Sequence, residues 1–140
     1  MEVALQWLGE GLHFFAQTED GHSLAFDSPR AVGGTEKAAR PMAGLLSAMM
    51  ACFSADVVSI LRKKRRTLRS FQVRAQAQRR EEFPKVFTHV KLHLHIVSPD
   101  ALPEDVERAT ELSRTKYCSA MAMFQAAGCT IEIGYHLERN

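Results

Sequence analysis

The sequence predicts an α+β fold, and three features predict it. Two long runs, Arg69 to Gln78 and Val86 to Val97, alternate apolar and polar residues, as strands with one buried and one solvated face do. A third stretch, Pro41 to about Lys64, is of helical length and apolar on nearly every side from Met42 to Phe53. The elements run in the order strands, long helix, strands, short helices, strand, with helices and strands in separate blocks rather than in strict alternation.

The N-terminal strands lie between Glu2 and Phe26, where short runs such as VALQW and LHFFA are broken at Gly9, Gly11 and Asp20-Gly21. These breaks read as hairpin turns, so antiparallel pairing is expected. A loop rich in turn residues follows, DSPRAVGGTEKAARP, and its Pro41 suits the first turn of a helix, where a missing N–H costs nothing. In the long helix, Leu45, Met49 and Cys52 share one face, and Leu46, Met50, Phe53 and Val57 another. A helix that is apolar all round must be enclosed all round. One sheet of a chain this size covers one side well, so the remaining cover is expected from a second copy, in a homodimer. The helix ends in RKKRR, Arg62 to Arg66.

Of the two long strands, the first is expected to turn Phe71, Val73, Ala75 and Ala77 inward. The second is expected to turn Val86, Thr88, Val90, Leu92, Leu94 and Ile96 inward, leaving Phe87, His89, Lys91, His93 and His95 outside. A charged loop with Pro84 joins them as a hairpin. A second helix is expected over Pro103 to Lys116, with Glu104 and Asp105 in its first turn and Arg114 and Lys116 in its last, in the order that suits the helix dipole. A short helix from Ser119 to Ala126 stops at Gly128, and a strand from Thr130 to Leu137 closes the chain.

Composition bounds the function. The chain of 140 residues, 46% hydrophobic and 24% charged, is read as a single globular domain, 1–140. A net charge of +2 does not by itself imply nucleic acid or an acidic membrane. The start, MEVALQWLGEGLHFFAQTED, lacks a basic region and is interrupted by acids, unlike a signal peptide. Pro41 to Leu61 could be mistaken for a membrane span, but Asp56, three serines and Gly44 interrupt it. Three cysteines, an odd count, make no disulfide framework and suit a reducing cytoplasm.

Cys52 lies inside the apolar helix, with Ala48 and Ala55 on its face, followed by Asp56 and Ser59. Alone, it reads first as a small core hydrophobe, since structural buried cysteines are inert. Cys118 sits just before a short helix, where unpaired N–H groups favour a thiolate, or else it is a simple boundary residue. Cys129 follows Gly128 into the last strand and reads as structural. Cys52 and Cys118 are 66 positions apart, and no spacing rule joins them.

The segment PMAGLLSAMMACFSADVVSILRKKR, followed by LSRTKYCSAMAMF, resembles the OsmC/Ohr family, the osmotically inducible and organic hydroperoxide resistance proteins. A Pro-led apolar helix carrying Ala-Cys, then a second cysteine opening a helix, forms the pattern. The Gly33-Gly34 loop and the Phe83-Pro84 loop fit it too, and the likeness is nearest to the OsmC-like branch.

The resemblance implies an intertwined homodimer with antiparallel sheets and a long buried central helix. It implies a thiol peroxidase of peroxiredoxin type, with Cys52 attacking an organic hydroperoxide and Cys118 resolving the sulfenic acid as a disulfide. A dithiol, such as a lipoylated protein, would reduce that disulfide. No cofactor or metal is implied. The family often carries a glutamate just after the helix-starting proline, where this chain has Met42 and Ala43. The arginine of the hydroperoxide resistance branch is also missing from Leu8-Gly9-Glu10-Gly11, leaving Arg30 and Arg40 as candidate cations.

Three other readings are weaker. A non-catalytic stress or small-ligand-binding protein on the same fold is favoured by the missing glutamate. A zinc protein would use the H-x-H pair His93 and His95, with His89 nearby, but Lys91 intrudes and no third ligand is evident, so a solvated strand face is expected. The RKKRR run could bind nucleic acid, but it closes a helix and has no aromatic platform beside it.

Overall fold

A computed structural model describes residues 1–140. Its strands are β1 (Val3–Trp7), β2 (Phe14–Thr18), β3 (Ser23–Phe26), β4 (Ser70–Arg79), β5 (Phe87–Val97) and β6 (Thr130–Glu138). Its α-helices are α1 (Pro41–Lys63), α2 (Pro103–Leu112) and α3 (Ser119–Ala126), with a π-helical turn at Ser113–Tyr117. The α+β class expected from the sequence is what forms. The chain divides into two compact units, Met1–Ser47 and Ala48–Asn140.

In the first unit, β1, β2 and β3 make an antiparallel meander. Its turns pass through Gly9, Gly11 and Gly21, each at positive φ, a conformation that a Cβ disfavours. Trp7 and Leu5 of β1 are exposed. The loop that follows is organised by Asp27, which is fully buried. Its carboxylate accepts the backbone N–H groups of Ser28 (2.7 Å), Thr35 (3.1 Å) and Lys37 (3.2 Å) and the Thr35 hydroxyl (2.5 Å). Burial opposes its charge, but these four donors outweigh burial and hold the pKa far below the usual carboxylate range. Gly34 is required here because a Cβ would come within 1.8 Å of the Ser28 carbonyl oxygen.

The second unit contains a sheet in the order β4-β5-β6. β4 and β5 form the expected antiparallel hairpin. The expectation of wholly antiparallel sheets fails at β6, which pairs with β5 in parallel. The chain reaches β6 through α2 and α3, and a helical crossover of this kind returns the strand in the same direction. Val90, Leu92, Leu94 and Ile96 of β5 are fully buried, as expected. At the start of β5 the assignment reverses: Phe87 is buried and Thr88 exposed. Between Gln78 and Arg79 the register shifts, so that Gln78 faces His89 while Arg79 faces Phe87. One extra residue in one strand inverts the alternation beyond it.

In α1, Met49, Phe53, Val57 and Leu61 are fully buried. Their spacing of four residues forms one stripe, and each contributes roughly 1.5–3 kcal/mol by leaving water. The opposite side is uncovered in the single chain, with Ala51, Ala55 and Ser59 exposed. α1 is long and apolar enough to cross a bilayer, and one stripe of it is buried within the unit.

Two of the five cations in the RKKRR run are tied down, while Arg62, Lys63 and Arg65 are exposed. Lys64 (2.9 Å) and Arg66 (2.7 Å) both pair with Asp105 of α2, which is buried. Asp105 also accepts the Leu102 N–H at 3.0 Å, closing the start of α2. Burial raises its pKa, but the Leu102, Lys64 and Arg66 partners together bring it below the usual range.

A candidate thiol site

The site is built from α1 and from the segment that joins α2 to α3. Cys52 is half-buried on α1, and Asp56, four residues on, lies on the same face of the helix. Ser113, at the end of α2, is fully buried. Its hydroxyl donates to Asp56 Oδ2 at 2.8 Å and lies 3.5 Å from the Phe53 carbonyl. This single side chain therefore ties the helix of Cys52 to the segment of Cys118.

The second helix was expected to reach Lys116. The α-helix instead ends at Leu112, and the chain widens into a π turn closed by the Cys118 N–H on the Ser113 carbonyl at 2.9 Å. Such turns are rare and concentrate at functional sites. The wider turn releases Cys118 in an extended conformation, φ −75° and ψ 98°, as the N-cap of α3. Its sulfur accepts the Met121 N–H at 3.3 Å. A cleft of about 150 Å³ opens there, bordered by Arg114, Lys116, Tyr117, Cys118 and Gln125.

All three cysteines are free. Cys52 and Cys118 lie near one another, close enough for Cys52 to add to the rise of the Cys118 pKa. The Cys118 pKa is pushed up to about 11, first by burial, with the Met121 N–H pulling the other way and Cys52 and Asp56 adding to the rise. This corrects the expectation that the helix start makes Cys118 a thiolate. Desolvation outweighs the single N–H, and Cys118 keeps its proton at neutral pH. Cys129 is buried apart from this pair, with its pKa raised by burial, as suits a structural residue.

Asp56 and Ser113 did not stand out as a pair in the sequence. The one available signal was a carboxylate four residues after a cysteine in an otherwise apolar helix. Of the two candidate cations, Arg30 is 3.6 Å from Glu36 on the surface, and Arg40 is exposed just before α1. The histidines of β5 line the outer face of the second sheet, where His89 meets Glu132 and His95 meets Glu138, both at 3.0 Å.

Comparison with known proteins gives the same frame. The family model described as OsmC-like protein matches residues 34–134. The chain is 37% identical over 127 residues to Protein YhfA of Escherichia coli K12, covering 91% of each chain. A hypothetical protein from Aquifex aeolicus superposes with a TM-score of 0.83 at 28% identity, covering 98% of this chain and 95% of that one. An organic hydroperoxide resistance protein OsmC from Legionella pneumophila shares the fold, with a TM-score of 0.62 at 16% identity over 99% and 97% of the two chains. The long apolar helix carrying Cys52, the capped helix carrying Cys118 and the matched residues converge: this chain belongs to the OsmC family.

Proposed function

We propose that the protein is a thiol peroxidase that reduces organic hydroperoxides. The reading is supported by the nearness of Cys52 and Cys118, two free thiols on elements far apart in the chain, Cys52 being close enough to raise the Cys118 pKa. In the proposed cycle the Cys52 thiolate attacks the terminal oxygen of ROOH. The O–O bond breaks, the terminal OH goes to Cys52 as a sulfenic acid, and the alkoxide leaves as ROH by taking up the proton that the thiol lost on ionising. The Cys118 thiol then displaces the hydroxyl as water, forming the disulfide. A dithiol, such as a lipoyl group, returns both thiols by exchange. The raised pKa of Cys118 keeps it from competing with Cys52 for peroxide at rest, and Cys118 must give up its proton as it attacks the sulfenic acid. The proposal includes a reducing cytoplasm as the compartment and a homodimer as the working form. The uncovered Ala51, Ala55 and Ser59 side of α1 supports the second.

One equivalent of cumene hydroperoxide at neutral pH tests the chemistry. The expected product is an intramolecular Cys52–Cys118 disulfide within minutes, found by peptide mapping. Cys118→Ser should stop at a sulfenic acid that dimedone traps on Cys52. If both thiols stay free in the wild type, the peroxidase reading fails. Light scattering on the purified chain tests the dimer separately, and a monomer at micromolar concentration would reject it.

A further inference from the structure

The outer face of the second sheet carries a second arrangement of donor groups, independent of the thiols. On β5, His89, His93 and His95 point to this face, and on β6 so do Glu132, His136 and Glu138. The parallel register decides which of them meet. His95 lies directly across from His136, and Glu138 is two residues further along β6, on the same face. His95 Nε2 is 3.0 Å from Glu138 Oε2, and the His95 and His136 rings are 5.3 Å apart, centroid to centroid. One ligand atom from each of the three residues lies within 4.8 Å of the others.

We infer that His95, His136 and Glu138 form a binding site for a divalent transition-metal ion, with zinc as its probe. Two imidazoles and one carboxylate are a zinc donor set that leaves a fourth position open to water. Bonds of about 2.0–2.2 Å to such donors put neighbouring donor atoms about 3.3–3.5 Å apart in a tetrahedron. The present spacing closes to that by side-chain rotation alone, because His95, His136 and Glu138 are all partly or largely exposed while their backbones are fixed by strand pairing. The groove beside the site, about 370 Å³ and lined by Gln72, Arg74, His93, His95 and His136, gives access. Arg74 faces His93 across β4 and β5, which places the cation at the Glu138 end, where a carboxylate offsets its charge.

The same sheet contains an internal control. His89 and Glu132 repeat the diagonal His–Glu contact at 3.0 Å, but the residue directly across from His89 is Thr130. That pair lacks a second imidazole. The H-x-H pair His93 and His95 also differs from the assigned set, because His93 faces Gly134, which offers no side chain. Two of the three ligands, His136 and Glu138, come from β6, 41 and 43 residues beyond His95, so spacing along β5 could not reveal them.

The test uses the full chain without an affinity tag, with Cys52, Cys118 and Cys129 changed to serine so that thiols take no metal. Titration with zinc chloride by calorimetry should show one site per chain with micromolar affinity. His136→Ala and Glu138→Gln should each weaken it at least tenfold, while His89→Ala and His93→Ala leave it within twofold. NMR of the histidine ring protons should show His95 and His136 shifting on addition of zinc. No stoichiometric binding at 100 µM zinc, or binding that survives His136→Ala unchanged, overturns the assignment. If the triple-serine chain fails to fold, the wild-type chain serves for the same titration, and the site is then the binding that His136→Ala and Glu138→Gln each weaken at least tenfold.

Discussion

The division of labour between the two thiols can be tested without a peroxide. With a pKa of about 11, Cys118 is ionised at pH 7 to only about one part in ten thousand. An ordinary cysteine with a pKa near 8.5 is about 3% ionised at the same pH. Only the thiolate reacts with an alkylating agent, so Cys118 should be alkylated about 300-fold more slowly than a free cysteine, before any further loss from its burial. The assay is iodoacetamide labelling between pH 6 and 11, quenched early and read by peptide mass for each cysteine. The Cys118 rate should rise tenfold per pH unit and reach its midpoint near pH 11. Asp56→Asn removes a negative charge that raises this pKa, so the midpoint should fall, while Cys118 remains slower than a free thiol because burial persists. A midpoint below about 8.5 in the wild type would refute the reasoning. Cys118 would then ionise readily, and its assignment as the partner that waits for the sulfenic acid would lose its support.

Three further outcomes concern the frame around the site. Asp105→Ala should cost roughly 2–3 kcal/mol in urea unfolding, because Lys64 and Arg66 lose their shared partner and the start of α2 loses an N–H acceptor. Since Asp27, Asp100 and Asp105 all have folded pKa values below the usual range, their stabilisation is complete above about pH 4 and is lost as pH falls through the folded values. Circular dichroism should accordingly show the chain unfolding on acidification below about pH 4, and a chain equally stable at pH 2 would contradict this. Arg65 follows α1 at φ 61°, a left-handed position, so Arg65→Gly should stabilise by about 0.5–1 kcal/mol, read as a higher urea midpoint.

How much of this was legible beforehand depended on the range of the signal. Local periodicity located α1, α3, β4 and β5 to within a residue or so, because amphipathic alternation and capping are local properties. It failed at Phe87 and Thr88, where one bulge reverses the faces, since alternation carries no mark of an inserted residue. It also missed the π turn at Ser113–Tyr117, because the charges in that segment suit an α-helical end equally well. The pairing of Cys52 with Cys118 came only through resemblance to a family, whereas the expectation of a helix covered by a partner followed from its all-round apolarity.

Asp56 shows what sequence alone could not supply. In a helix where apolar residues surround the cysteine, a lone carboxylate is costly to bury without a partner. The structure resolves the cost through Ser113, a residue 57 positions away and fully buried. Once that hydrogen bond is known, the surrounding features acquire one cause. Ser113 must end α2 facing α1, the helix must widen to let Cys118 leave as a cap, and the Cys118 thiol then lies where the Asp56 charge helps keep its proton on. If that chain of causes is right, Ser113→Ala should disturb Cys118 more than it disturbs stability. The loss of one buried hydrogen bond costs about 1–3 kcal/mol, but the Cys118 labelling midpoint should also move. A variant that lost stability and left that midpoint unchanged would reduce Ser113 to a structural residue.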